Sequence, residues 1–191
     1  MKGKHHIVIE SARLNIEMNS NYFGSVNEHF EFRTIRQGEV EEAALIEQIC
    51  FPPNEACSRE HMLERAAAAA DLFLVAIDRE NGKMAGFLNG IATNEPAFRD
   101  EFFTDAENHD PEGENIMLLG LDVLPEYRGQ GLGRELVCRY CRREKERGRS
   151  KLILTCLYNK VEMYTRMGFY DLGESASEWG GEKWHEMEIR L

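Results

Sequence analysis

Hydrophobic residues along this chain alternate between the two-residue period of strands and the three- to four-residue period of helices. A short strand is predicted from Phe30 to Ile35, and apolar residues at helical spacing then predict a helix from Gln37 to Cys50. Phe51-Pro52-Pro53 ends that helix, because proline lacks an N–H donor and restricts the residue before it. Ser58 can begin a second helix, which is expected to run through the alanine tract Ala66–Ala70.

The middle of the chain carries a β-hairpin signal followed by an acidic segment. The apolar runs Leu72–Ile77 and Met84–Ile91 are joined by residues 78–83, which contain the turn-forming pair Asn81-Gly82. Residues 93–114 are rich in Asp, Glu, Pro and Gly and lack a regular period. Such a segment is typical of a solvated loop, and a lid over a substrate is the alternative interpretation.

The C-terminal part of the chain again alternates strands and helices. Ile116–Leu124 is apolar enough for a strand buried on both faces, and an amphipathic helix is predicted from Leu132 through Cys141. The remaining elements are three strands and one short helix, at Leu152–Leu154, Phe169–Leu172, Trp184–Leu191 and Asn159–Met167. No repeat or low-complexity linker interrupts this order, so residues 29–191 are predicted to form one domain.

Residues 1–28 are polar and weakly patterned, and they are interpreted as an N-terminal extension. The alternation His6-Ile7-Val8-Ile9 predicts either one extra strand or a partly disordered segment. Its apolar run is too short for a signal peptide or a membrane span, which favours a cytoplasmic protein.

Composition narrows the class of partner. The chain has 23 Lys and Arg against 34 Asp and Glu, a formal charge of -11, which argues against nucleic acid and anionic membranes and favours cations such as amines. Its five cysteines are an odd number without a disulfide framework, so reduced thiols are expected. Cys138 and Cys141 lie inside a predicted helix with no second pair nearby, which is typical of core packing, and no metal site is predicted.

The segment most informative about function runs from Val123 to Arg134, between the buried strand and the amphipathic helix. Gly129, Gly131 and Gly133 let the backbone approach a ligand closely, at a helix start where N–H groups and the helix dipole favour anions. The segment has neither the Gly-Lys-Ser/Thr ending of a Walker loop nor the third glycine of a Rossmann fingerprint. It therefore predicts a diphosphate cradle for a ligand other than ATP or NAD.

The run R-G-x-G-x-G, with V-x-P-x-Y-R before it, resembles the signature of the GNAT acetyltransferase superfamily. From about Phe30 to Leu191 the chain is most similar to the arylalkylamine N-acetyltransferase branch, which shares the Cys50–Cys57 loop, the hairpin and the terminal block. The resemblance implies the α/β (α+β) GNAT fold, a mixed central sheet of about seven strands with helices on both faces. It also implies an N-acetyltransferase that uses acetyl-coenzyme A as co-substrate.

The resemblance also implies the residues of the site. The pyrophosphate would lie on the N–H groups of the glycine turn, and the pantetheine arm would bond the strand before it. Arg128 and Arg134 would offset the phosphate charge. The cofactor-binding residues implied in this way are Leu121, Asp122, Val123, Arg128, Gly129, Gln130, Gly131, Leu132, Gly133 and Arg134.

Met163-Tyr164-Thr165-Arg166-Met167-Gly168-Phe169 resembles a second family signature, in which the tyrosine protonates the leaving thiolate. A phenol of ordinary pKa about 10 can donate to a thiolate of pKa about 8.5, so Tyr164 is the predicted general acid. A tyrosine that only packs in the core is the alternative. Cys156 matches a family cysteine near the thioester, although a lone cysteine in an apolar strand is typical of packing.

The chain differs from the arylalkylamine branch at the residues of the proton relay. The arylalkylamine branch carries two histidines on the strand before the glycine turn, and Met117 and Leu119 stand at these positions here. An amine must lose a proton before it can attack, so another group or a water chain has to accept that proton. The candidates from the sequence are Asp122, Glu114, His109 and Glu55.

The sequence therefore predicts acetyl transfer to the primary amine of a small molecule, with an arylalkylamine as one candidate acceptor. Acetylation of a protein N-terminus or lysine is the alternative within enzymes, and a catalytically silent acetyl-coenzyme A sensor is the alternative outside them. The sequence leaves the acceptor and the oligomeric state, monomer or homodimer, open.

Overall fold

Seven strands form one mixed sheet at the centre of the molecule. The computed structural model describes Val26 and residues 28–191, so the extension predicted for residues 1–28 lies almost entirely outside the described residues. The strands are β1 (Phe30–Thr34), β2 (Phe73–Asp78), β3 (Met84–Thr93), β4 (Asn115–Val123), β5 (Lys151–Leu157), β6 (Tyr170–Glu174) and β7 (Trp184–Arg190). Their order is β1-β2-β3-β4-β5-β7-β6, and β4 and β5 are the parallel pair in an otherwise antiparallel sheet.

Five α-helices accompany the sheet in the described part of the chain: α1 (Val40–Cys50), α2 (Arg59–Ala68), α3 (Glu101–Thr104), α4 (Leu132–Glu146) and α5 (Tyr158–Arg166). The buried apolar residues of α1 and α2 pack against one face of the sheet, and those of α4 against the other, where α5 adds its partly buried residues. This is the predicted arrangement of a mixed sheet with helices on both faces.

The second helix begins where the sequence predicted and ends earlier. Ser58 caps α2, since its hydroxyl accepts a hydrogen bond from the His61 N–H at 3.2 Å. The helix stops at Ala68 because Ala69 leaves helical geometry, with φ -134° and ψ 43°, and a 3₁₀ turn at Ala70–Leu72 leads into β2. The prediction that α2 runs through Ala70 is therefore wrong by two residues.

The acidic segment after β3 is partly folded. It contains α3 and a 3₁₀ turn at Ala106–Asn108, and Phe98 and Phe102 are buried against each other with their rings 5.7 Å apart. These aromatic side chains anchor the segment to the core, because burying large apolar surface stabilises it. The predicted solvated loop therefore describes the exposed polar positions of this segment, whereas Phe98 and Phe102 belong to the core.

The basic end of α4 is an ion-paired face. Glu144 is fully buried, and its carboxylate lies within 2.8 Å of Arg143, 3.2 Å of Arg147 and 3.8 Å of Arg149. These arginines therefore neutralise a buried carboxylate, which needs paired charge in the interior. None of the helices in the described part of the chain combines the length and the apolar character required to span a bilayer.

The sheet opens at its centre. β4 and β5 pair at their first residues, Asn115 with Lys151 through Met117 with Ile153, and further along both strands have no pairing with each other. A bulge accompanies this opening, since Asn89 of β3 pairs with Gly120 while Gly90 pairs with Leu118, which leaves Leu119 without a partner. The second halves of β4 and β5 therefore diverge and leave backbone edges available to a ligand.

Candidate functional site

A cleft of about 600 Å³ occupies the opening between β4 and β5. Its walls come from the second halves of both strands, from the glycine turn before α4, from α5 and from the loop after α1. Residues far apart in sequence therefore meet in one space, at the carboxyl ends of two parallel strands, where α/β sheets commonly bind ligands.

The glycine turn supplies a row of free donors at one end of the cleft. The backbone N–H groups of residues 129–134 donate no hydrogen bond to any described residue, and the first bonded N–H of the helix is that of Glu135, which donates to the Gly131 carbonyl. Gly129 and Gly131 have φ of 74° and 82°, a left-handed geometry that glycine adopts without strain. Free N–H groups at a helix start bind anions, so this end of the cleft fits a diphosphate.

Arg128 lines the cleft beside the glycine turn. Its N–H donates to the Pro125 carbonyl at 3.2 Å, and its guanidinium Nε donates to the Val123 carbonyl at 2.8 Å. The backbone N–H and Nε of Arg128 are therefore occupied, whereas the rest of its guanidinium carries further donors. Arg128, Arg134 and Lys160 all line the cleft and are cations that could offset phosphate charge there.

The strand before the turn presents alternate side chains to opposite faces. Leu121 and Val123 lie on the α4 face, where a Cβ on Gly133 would meet their side chains at 4.0 and 3.7 Å. Asp122 pairs with Phe87, a residue of the α1–α2 core, so its side chain points to the opposite face. The backbone of these three residues is the expected pantetheine-binding edge, whereas the Asp122 carboxyl serves another region.

Tyr164 lies in α5 on the wall of the cleft. The ring is half-buried and packs edge-on against Phe169 at 5.7 Å, and its hydroxyl makes no hydrogen bond to any described residue. Burial raises the pKa of Tyr164, and the charges of Cys156 and Asp122 raise it further. The phenol is therefore protonated at neutral pH, and no described group competes for its proton.

Cys156 faces the same cleft from β5 and is buried. Burial, with a smaller contribution from Asp171, raises the pKa of its thiol to about 12. A thiol protonated at neutral pH is a poor nucleophile, so this site favours a packing role for Cys156. All five cysteines of the chain are free.

The end of the cleft opposite the glycine turn is roofed by two loops that bond each other. Asn54 Nδ2, in the loop after α1, donates to the Gly180 carbonyl at 2.9 Å, and the Trp179 indole N–H donates to the Glu55 carbonyl at 2.8 Å. The Trp179 ring packs on Phe103, with ring centroids 4.9 Å apart. Aromatic side chains line this part of the cleft, which is called the acceptor chamber below: Phe51, Phe103, Trp179 and Trp184.

The proposed proton acceptors are separated by the fold. Glu55 lines the cleft, and burial followed by the nearby charge of Glu182 raises its pKa. His109 and Glu114 do not line it, because they precede the paired beginning of β4 whereas the cleft lies at its far end. His109 instead accepts a hydrogen bond at Nδ1 from the Ala92 N–H at 3.1 Å. Among these four candidates, the structure brings Glu55 into the cleft and Asp122 beside it.

Glu47 is a polar residue of the site that the sequence did not single out. It lies in the last turn of α1, is 3% exposed, and lines the cleft. One signal was present in the sequence, since Glu47 follows Ala43 by four residues and Ala44 by three and therefore lies on the apolar face of the helix. A carboxylate on that face needs an explanation beyond solvation.

Comparison with known proteins places this geometry in a family. A sequence model of the Acetyltransferase (GNAT) family matches residues 40–169, which is more than half of the chain. The chain is 36% identical over 77 residues to a thialysine N-epsilon-acetyltransferase of Bos taurus, a match that covers 39% of this chain and 42% of the relative. The alignment thus spans less than half the length of that relative.

Solved structures share the fold at low sequence identity. The loading GNATL domain of CurA from Lyngbya majuscula has a TM-score of 0.72 at 14% identity, over 85% of this chain and 98% of that domain. The GNAT-like decarboxylase GphF, solved with isobutyryl-CoA, has a TM-score of 0.70 at 16% identity, over 84% and 98% of the two chains. These similarities concern the fold alone.

Proposed function

Since this chain belongs to the GNAT acetyltransferase family, we propose that it transfers the acetyl group of acetyl-coenzyme A to the primary amine of a small molecule. The observation that carries the proposal is the cleft itself, with free N–H groups of residues 129–134 at one end and a roofed chamber at the other. A diphosphate fits the first and a small acceptor the second, and Tyr164 lines the wall of the same cleft.

Different residues of the cleft would bind different parts of acetyl-coenzyme A. The N–H groups from Gly129 to Arg134, with Arg134 and Lys160, would hold the diphosphate, and the open edge of β4 would hold the pantetheine arm as an added strand. Bound acetyl-coenzyme A supplies a thioester carbonyl that an amine can attack. Fixing both reactants in one cleft lowers the entropic part of the barrier.

Tyr164 is placed to act as the general acid. As the amine nitrogen bonds the acetyl carbon and the carbon–sulfur bond breaks, the phenol donates its proton to the departing sulfur. The phenolate then recovers a proton from the new amide nitrogen, which returns Tyr164 to its starting state. The absence of a competing hydrogen bond on its hydroxyl within the described residues supports this role.

The roof favours a small amine over a protein acceptor. Hydrogen bonds between the loop after α1 and the loop before β7 close the acceptor end, and a peptide chain would need an open groove there. The thialysine N-epsilon-acetyltransferases to which the chain is similar are named for a small amine. An aromatic chamber formed by Phe103 and Trp179 also keeps arylalkylamines among the candidate acceptors. A cytoplasmic location stays a prediction.

A direct test is the release of free thiol from acetyl-coenzyme A in the presence of single amines, diamines, arylalkylamines and short peptides. We expect turnover with small primary amines and little with peptides. Turnover confined to peptides would contradict the assignment of the acceptor. Tight binding of acetyl-coenzyme A without turnover for any amine would instead support a sensor.

A further inference from the structure

Two buried carboxyl groups meet beneath the acceptor end of the cleft. Glu47 of α1 is 3% exposed, and Asp122 of β4 is fully buried. Glu47 Oε1 accepts a hydrogen bond from the Cys57 N–H at 3.0 Å, and the two carboxyl groups interact with each other and with Cys50. No arginine, lysine or backbone N–H among the described residues donates to Glu47 Oε2 or to Asp122. A buried carboxyl pair held mainly by its own shared proton is costly, so its presence calls for a function.

The free oxygens converge on one small space. A Cβ on Gly120 would lie 3.0 Å from Asp122 Oδ2, 3.3 Å from Glu47 Oε2 and 3.6 Å from Asn89 Oδ1. Gly120 itself lines the cleft, as does Glu47. Residue 120 therefore places no side chain between the cleft and the carboxyl pair, whose oxygens Glu47 Oε2, Asp122 Oδ1 and Asp122 Oδ2 are themselves buried.

A shared proton and a buried arginine limit the charge of the pair. Burial and mutual repulsion raise the pKa of Asp122, and burial raises that of Glu47, because two adjacent buried carboxyls do not both ionise readily. One shared proton leaves the pair with one negative charge. The nearby cation is Arg65, whose guanidinium donates to Asn89 Oδ1 at 3.2 Å and to the Phe103 carbonyl at 3.1 Å.

We propose that Glu47, supported by Asp122, binds the ammonium group of the acceptor over Gly120 and accepts its proton. In this step one N–H bond of the ammonium breaks and one O–H bond forms at Glu47 Oε2, which frees the nitrogen lone pair. The proton then passes to solvent through the cleft. This inference rests on the proposed function, and it assigns the proton acceptor that replaces the histidines absent at Met117 and Leu119.

The acceptor class follows from the same geometry. An ammonium group carries the N–H proton that Glu47, on the wall of the cleft, would accept. The aromatic surfaces of Phe103 and Trp179 lie at the same end of the cleft and suit an apolar substituent. The acceptor is therefore a primary ammonium carrying a small apolar or aromatic group, and neutral or anionic acceptors are disfavoured.

The test uses the full chain, with 2-phenylethylamine as the probe and 2-phenylethanol as its neutral counterpart. Calorimetry in the presence of non-acetylated coenzyme A measures binding without reaction, and thiol release measures turnover. For Glu47→Gln we expect at least tenfold weaker binding of the amine and about a 10²-fold loss of kcat/KM. Binding of acetyl-coenzyme A and of 2-phenylethanol should match wild type.

Two further variants separate the explanations. Glu55→Gln tests the competing acid of the same cleft, so a loss of amine binding and turnover in Glu55→Gln that equals or exceeds the loss in Glu47→Gln would overturn the assignment. Gly120→Ala keeps both acids but fills the space over them, and we expect it to weaken amine binding as well.

The outcomes for the inference and for the proposed function are distinct. Unchanged binding and turnover in Glu47→Gln would overturn the inference while leaving the acetyltransferase intact. Failure of the wild-type protein to bind the amine at all would also overturn it. Amine binding that depends on Glu47 without any thiol release would support the inference and contradict the proposed function.

Discussion

Asn54 and Gly180 join the two loops that roof the cleft, because Asn54 Nδ2 donates a hydrogen bond to the Gly180 carbonyl at 2.9 Å. The two backbones also approach closely, since a Cβ on Gly180 would lie 2.6 Å from the Asn54 carbonyl oxygen. Glycine is needed here for two reasons, because its φ of 64° also favours a residue without a side chain. The enclosure of the acceptor chamber therefore depends on one backbone approach.

Gly180→Ala is expected to push the two roof loops apart. The KM for the acceptor amine should rise several-fold, while the affinity for acetyl-coenzyme A, whose proposed site lies at the other end of the cleft, should stay near wild type. Gly181→Ala is the matched control, since Gly181 also has a positive φ, 79°, but a Cβ there would meet nothing within 4 Å. Both variants should lose about 1–2 kcal/mol of stability from backbone strain. An equal rise in KM for the control would show that strain, and not the roof, is responsible.

Gly129→Ala is expected to weaken binding of acetyl-coenzyme A at least tenfold. Alanine resists the φ of 74° that directs the N–H groups of the turn outward, and its Cβ would project into the open space where a diphosphate fits. Gly148→Ala is the control, because Gly148 has a φ of 82°, equally open surroundings, and no part in the cleft. Calorimetric titration with acetyl-coenzyme A measures the affinity of each variant. Equal affinities of Gly129→Ala and Gly148→Ala would show that the glycine turn is not part of the binding site.

Tyr164→Phe is expected to lower kcat about 10²-fold, since a general acid typically contributes at least that much. The affinity for acetyl-coenzyme A should be unchanged because the ring and its packing on Phe169 remain. Tyr158→Phe makes the same chemical change on the same helix at a position that is 76% exposed and outside the cleft. Thiol-release kinetics of the two variants check the assignment, and equal kcat values for Tyr164→Phe and wild type would contradict it.

The carboxyl pair predicts a pH dependence of stability. Glu47 and Asp122 have raised pKa values in the folded state, so the folded protein holds protons that the unfolded chain releases above about pH 4. Their contribution to stability is therefore complete at low pH and is lost as the pH rises through the folded pKa values. Arg65 and Cys50, which face the pair, moderate this effect without changing its sign.

Urea unfolding of wild type and Asp122→Asn across this pH range isolates that contribution, because the other titrating groups cancel in the difference. As the pH rises from about 4 to 8, Asp122→Asn should gain stability relative to wild type, since an amide does not ionise. Parallel stability curves for the two proteins would show that the pair does not share a proton.

Much of the fold followed from local pattern. Apart from α3, the strand and helix order from Phe30 to Arg190, the hairpin at Asn81-Gly82 and the turn of Gly129 and Gly131 were predictable, because periodicity, proline, glycine and capping act over a few residues. The end of α2 was not, since five consecutive alanines have high helix propensity and the chain must nevertheless turn into β2.

The candidate site shows the same difference between features set by local sequence and features set by tertiary packing. The sequence by itself determined the glycine turn, the helix that carries Tyr164 and the order of strands and helices around them, since each depends on neighbouring residues. Only the tertiary structure decided that Glu47 meets Asp122, that Asn54 meets Gly180, and that His109 and Glu114 stay away from the cleft. These contacts join residues far apart in the chain, and they depend on how α1 and the loops pack on the sheet, which no local pattern specifies.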